Sequence, residues 1–184
     1  YDDLYNAFDE LKIKARVKTI DSYYKDEYYN KAIVERIKEA LADDKAEDFE
    51  LIFSAHGLPQ KIIDKGDLYQ KHIRQNVYQA RKALLKAGVH FHKTHLAYQS
   101  RLGPMEWIRP YLDEKLKSLE KKKVIIFPIA FTVDNSETEF ELDIEYKEVA
   151  DELGFEEYRV AKAPNAHPEF VKCIVNIYED LKVG

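Results

Sequence analysis

Only one cysteine, Cys173, stands in the 184 residues, so this chain can form no internal disulfide, cysteine-rich zinc site or four-cysteine iron–sulfur cluster of its own. A basic surplus is missing too: 29 Lys and Arg face 34 Asp and Glu, a formal net charge of −5. Nothing here tracks phosphates, and nucleic acid is not an expected partner. No apolar run approaches the ~20 residues that span a bilayer, and no signal-peptide pattern, repeat or low-complexity stretch is expected. A reducing cytosol is the expected compartment, with peripheral contact at the inner membrane face left open.

What is present is a soluble-type composition, 45% hydrophobic and 12% aromatic, enough to bury one domain or one domain plus a piece of another. Apolar runs of strand length alternate with segments of helical period. Asp2 and Asp3 open a helix of about ten residues, residues 15–20 alternate like a short strand, and a helix runs to about Leu41. Residues 51–55 read as a strand, 60–66 as a loop, 67–87 as a long helix ended by Gly88, and 91–98 as a strand. A turn with the only Trp leads to a helix ending near Leu119, then a strand from Val124, an acidic helix, a short strand at 158–161 and a last helix at 168–181. This order predicts an α/β fold: a parallel sheet covered by helices on both faces, in a Rossmann-like three-layer αβα arrangement. The chain starts at Tyr1, directly in a helix-like pattern, and is expected to be the C-terminal part of a longer protein.

Two stretches carry the chemistry. In Leu51-Ile52-Phe53-Ser54-Ala55-His56-Gly57-Leu58-Pro59 an apolar strand stops at a histidine followed by Gly and Pro. His56 therefore sits at the carboxyl end of a strand, where ligands bind in open α/β sheets, although a histidine bonded only to its own turn would read the same way. The second stretch follows the strand at Val124 and holds six acids before any base: Asp134, Glu137, Glu139, Glu141, Asp143 and Glu145. Glu137, Glu141 and Glu145 recur every four residues, so on an α-helix they share a side. Like charges at that spacing cost a few tenths of a kcal/mol per pair. The helix N-terminus favours only the first of them; a hydrated divalent cation would neutralise all three. Fe(II) would also accept the imidazole of His56. Tyr23 and Tyr24 stand where a flat apolar ligand can stack, while Tyr28 and Tyr29 are expected to cap the core with wet hydroxyls. His72, His90, His92, His95 and His167 are expected to be surface, strand or turn residues, and Cys173 buried.

Together with Gly66-Asp67-Leu68-Tyr69, Tyr98-Gln99-Ser100-Arg101-Leu102-Gly103-Pro104-Met105-Glu106-Trp107, Phe127-Pro128-Ile129-Ala130-Phe131 and the run from Glu137 to Tyr146, these stretches resemble the ferrochelatase family, from about Thr19 to the last helix. The resemblance implies a lyase that inserts Fe(II) into protoporphyrin IX to give protohaem, the terminal step of haem biosynthesis. It implies a protein of two similar α/β domains with the porphyrin between them. On that pattern residues 1–22 end the first chelatase domain or link to it, 23–166 form the second, and 167–184 a C-terminal helix. The partners implied are protoporphyrin IX, ferrous iron and the missing N-terminal domain, without which the chain is expected to be inactive. His56 matches the family's active-site histidine and Glu137 the acid facing it across the macrocycle; both are catalytic candidates. With Glu141 and Glu145 they are also the metal candidates. Tyr23, Ser100, Trp107 and Asn135 are the substrate-binding candidates. Asn135 departs from the Asp-His pair of many members, so it is expected to cap the helix or bond a ligand. A cobalt or nickel tetrapyrrole chelatase, or a non-catalytic porphyrin- or haem-binding module, would use the same residues.

Overall fold

A computed structural model describes residues 2–15 and 17–183. Strands β1 (Glu50–His56), β2 (Lys93–Gln99), β3 (Lys123–Pro128) and β4 (Glu157–Val160) form one parallel sheet in the order β2-β1-β3-β4. The helices are α1 (Asp2–Glu10), α2 (Glu27–Leu41), α3 (Gln60–Asp64), α4 (Tyr69–Lys86), α5 (Leu112–Lys117), α6 (Tyr146–Glu152) and α7 (Pro168–Val183), with a π-helix over Glu137–Glu145. The expected α/β class with a parallel sheet holds.

Central strands β1 and β3 read as near-continuous apolar runs because both of their faces are buried. Leu51, Phe53, Ala55, Ile125 and Phe127 point into one layer, packed under α2, α4 and α7. Ile52, Val124 and Ile126 point into the other, under α5, the π-helix and α6. Successive residues of a strand alternate faces, so the two cores need no change of register. α4 contributes Ile73, Val77, Ala80 and Leu84, at the three- and four-residue spacing of a buried helical stripe. Asp26 caps α2, its carboxylate accepting the Tyr29 N–H at 2.8 Å. α7 lies along α2 and drives Phe170 and Cys173 into the first core.

Several expectations change. Arg16 lies outside the described residues, and the rest of 15–20 is not a strand: the sheet ends at β2 and β4, and Lys18 instead reaches the Leu181 carbonyl of α7. Residues 60–64 form the short helix α3 rather than loop, starting after Pro59, whose ring presets the entry angle. α5 covers only six residues of the helix expected up to Leu119. Tyr29 is 3% exposed, so its hydroxyl is in the core rather than wet.

At the amino edge of the sheet, Glu50 is fully buried and accepts the N–H groups of Glu120 (2.6 Å) and Lys121 (2.8 Å) while pairing with Nε2 of His95. Burial alone would push this carboxyl up; the Lys121, His95 and Glu120 bonds outweigh it and hold the group below its usual value. His95 is thus a strand residue with a partner, while His92 is exposed beside Glu120 and His90 is exposed. His72 lies against Tyr24 on α4, and His167 accepts the Glu169 N–H in its turn.

Candidate active site

β1 and β3 are adjacent, so the chain leaving each opens at the same carboxyl edge of the sheet. β1 ends on His56. β3 ends at Pro128 and the π-helix begins nine residues later at Glu137. The two side chains meet: His56 Nδ1 lies 2.7 Å from Glu137 Oε2, with 37% and 39% of the side chains exposed. They stand side by side on one wall. The resemblance implies that Glu137 faces His56 across the macrocycle; in this structure the two side chains are in direct contact. An ionised carboxylate only accepts hydrogen bonds, so in this contact Nδ1 is the donor.

The histidine is held from behind as well. Its carbonyl accepts the Tyr69 hydroxyl from the first turn of α4 at 2.8 Å. Burial pushes that phenol up, and Tyr98 and Glu137 push further, so it remains a protonated donor. Gly57 follows, its N–H donating to the Gln99 carbonyl at 2.8 Å.

Gln99, in register with His56 at the end of β2 and 1% exposed, connects the strands to the acids. Its Oε1 accepts the Ser54 hydroxyl at 2.7 Å, and its Nε2 donates to Glu141 Oε2 at 3.0 Å and to the Glu137 carbonyl at 3.2 Å. Glu141 in turn accepts the Ser100 N–H at 2.7 Å and the Ser100 hydroxyl at 2.5 Å. Ser100 has φ +65°, a left-handed conformation that costs a side-chain-bearing residue about 1 kcal/mol or more and persists where neighbours fix it. Glu141 is what fixes it. Sequence reasoning passed over Tyr69, Gln99 and Ser54 as individual residues, although all three lie inside the blocks that carry the family resemblance.

The acidic segment is a π-helix rather than the expected α-helix: the Tyr146 N–H bonds to the Glu141 carbonyl, five residues back. Every fourth residue then falls just short of a full turn instead of passing it, and the inward positions Thr138 and Leu142 keep their place against the core. Asn135 starts the helix. Its Oδ1 accepts the Glu137 N–H at 2.8 Å, and its carbonyl takes the N–H groups of Thr138 and Glu139. Asp134 is spent on the loop at 163–165, accepting from Ala163 N–H and the Asn165 amide. Burial, with Asp134 and Glu139 nearby, raises the Asp143 carboxyl. Glu145 is exposed at the far end. Among the described residues no group of three or more His, Cys, Asp or Glu side chains is spaced to share one ion.

The other substrate-binding candidates fall in different places. Tyr23 packs edge-on against Tyr29 (centroids 5.2 Å apart) and tilted on Phe170 (6.3 Å). It also lines a recess of about 240 Å³ with Tyr69, Ile129 and Thr132. Trp107 is 8% exposed: its indole N–H donates to the Leu102 carbonyl and its ring backs Gly57, so it seats the loop beside His56.

A family model described as Ferrochelatase matches residues 1–181. The ferrochelatase of Sulfurimonas denitrificans is 50% identical over 163 residues, which is 89% of this chain and 52% of that protein. Those of Campylobacter fetus and Helicobacter pylori are 49% and 40% identical, over 98% and 99% of this chain and 57% and 55% of theirs. The chain spans about half the length of the curated relatives it matches. Among solved structures, SirB from Bacillus subtilis with Fe3+ superposes with a TM-score of 0.55 at 14% identity, over 85% of this chain and 54% of that one. A multi-domain Deinococcus radiodurans protein with structural similarity to chelatases gives 0.52 at 16%, over 81% and 28%. These two likenesses speak for the fold alone; on the family match over nearly its whole length, the chain belongs to the ferrochelatase family.

Proposed function

We propose that the protein to which this chain belongs inserts Fe(II) into protoporphyrin IX, and that this chain supplies one wall of the site. The contact between His56 and Glu137 at the carboxyl edge carries the reading. Metallation requires two pyrrole protons to leave as the metal enters. With Nδ1–H held by Glu137, His56 offers Nε2 to one pyrrole N–H and the carboxylate stabilises the imidazolium that forms, while the second pyrrole proton leaves to water. Glu141 is tied to Gln99 and Ser100 and holds the strand end in shape. As further parts of the proposal, iron passes along the acids of the π-helix as hydrated Fe(II), and Tyr23 lines one margin of the macrocycle. A recess of about 240 Å³ is below the range of drug-sized sites, so it takes an edge of the ring and not the whole. The remaining wall then comes from the half of the relatives' length that this chain does not span, with residues 1–22 leading to it, 23–166 the second chelatase domain and 167–184 its closing helix. We place the enzyme in the cytosol.

The test is anaerobic metallation by the full-length protein with Fe(II), Co(II) and Ni(II). Iron insertion is expected to dominate. Preference for cobalt or nickel, or a Soret shift without any metalloporphyrin, would overturn the reading. The 184-residue chain alone should fold but turn over steeply less, because positioning the ring needs both walls.

A further inference from the structure

In a protein of net charge −5, helix α4 contains no acid at all: its 18 residues YQKHIRQNVYQARKALLK carry Lys71, Arg74, Arg81, Lys82 and Lys86. All five are exposed, and none forms an ion pair among the described residues. Such a helix stays soluble without help, but its like charges at four-residue spacing work against it, as at Lys82 and Lys86.

The helix borders a trough. Two concavities of about 540 and 500 Å³ share Lys25 and Gln79 and so run together along α4, the second lying between α4 and α2. Cations rim it: Lys71 and Arg74 at one end, Lys25 in the middle, Lys31, Lys82 and Lys86 at the other. The acids Asp67, Glu27 and Glu35 also touch it, and Lys31 is paired with Glu169, so the surplus is carried by the α4 side chains and Lys25. In the second concavity Ala83 and Ala87 line an apolar floor over the buried Val34. Asn30, 6% exposed, lines the same stretch, and its Oδ1 has no hydrogen-bond partner.

We propose that the α2–α4 trough is a docking site for an acidic amphipathic segment of a partner protein, apolar side down and carboxylates to the lysine rim. A concave, apolar-floored groove between two helices suits a helix or extended segment laid along it, whereas a lipid surface asks for a convex or flat face. Cationic edges add steering and specificity that salt should weaken. This site is independent of metallation: Lys82 and Lys86 lie at the end of α4 away from Tyr69, whose hydroxyl bonds the His56 carbonyl.

The probe is a fluorescein-labelled 18-residue peptide with Glu on one helical face and Leu on the other, matched to the length of α4. Fluorescence anisotropy with the full-length protein should show salt-sensitive binding. A peptide of the same composition with scrambled order should bind about ten-fold more weakly, as should the unscrambled peptide to the Lys82→Glu/Lys86→Glu variant. That variant should keep wild-type metallation and melting temperature. Absence of binding at low salt, equal binding of the scrambled peptide, or an unchanged affinity of the variant would overturn the proposal. So would binding to vesicles of equal phosphatidylserine and phosphatidylcholine in place of the peptide, which would assign the face to a lipid surface.

Discussion

A methyl group at Gly57 would strike the backbone that holds His56. An alanine Cβ there would lie 2.8 Å from the Gln99 carbonyl oxygen and 3.3 Å from Trp107 Cε3. Ordinary contact begins at 3.4 Å, so the first gap must open by about 0.6 Å. The carbonyl cannot rotate away as a side chain would. It accepts the Gly57 N–H, and its residue is 1% exposed between β1 and the π-helix. Gly57→Ala must therefore push its own loop outward, off Gln99 and Trp107. Overpacking of this kind costs about 1–3 kcal/mol. For a protein of this size that lowers Tm by roughly 2–12 °C. Because the displaced residue adjoins His56, metallation by the full-length protein should fall by about ten-fold or more, since a misplacement near 1 Å is worth about a hundred-fold. Calorimetry on the 184-residue chain and a metallation assay on the full-length protein give the two numbers. A variant that melts within a degree of wild type and metallates at the wild-type rate would refute the seating of this loop.

Glu141→Ala should release Ser100 from φ +65° and leave the Gln99 amide without a carboxylate, at about 1–3 kcal/mol in denaturant unfolding, with Glu141→Gln milder. Glu50 is held below its ordinary value of 4.5, so its contribution is present above that pH and lost as pH falls through the folded value; Glu50→Gln should flatten this acid limb of Tm against pH. Burial, with Asp26 adding, pushes the Cys173 thiol up to about 12, so a thiol reagent at mildly alkaline pH should label it only after unfolding.

The strands were legible because β1 and β3 are buried on both faces and say so in unbroken apolar runs, and His56 was legible because it ends one of them. Alternation at 15–20 misled: residue 15 and residues 17–20 pair with neither edge of the sheet and are irregular. The acidic helix was seen as a helix but not as a π-helix, since positions 138 and 142 are buried in it as an α-helix would also allow, and the form is set by backbone bonds such as Tyr146 N–H to the Glu141 carbonyl. Strand adjacency, which no single sequence displays, brings Glu137 into direct contact with His56. Ser100 looked like a ligand contact in its motif, and its strained backbone, held by an acid 41 residues away, appears only in three dimensions. Asn135 was expected to cap the helix or bond a ligand, and its short amide meets the Glu137 N–H.

The central claim is that His56, oriented by Glu137, acts on one face of the porphyrin. Anaerobic single-turnover metallation by the full-length protein, with porphyrin binding read from the Soret band in the same cuvette, tests it on wild type and His56→Ala. The account predicts that the variant binds protoporphyrin IX within a few-fold of wild type while iron insertion falls by about 10²- to 10⁴-fold, the range of a lost general base. Insertion at the wild-type rate by His56→Ala would contradict it.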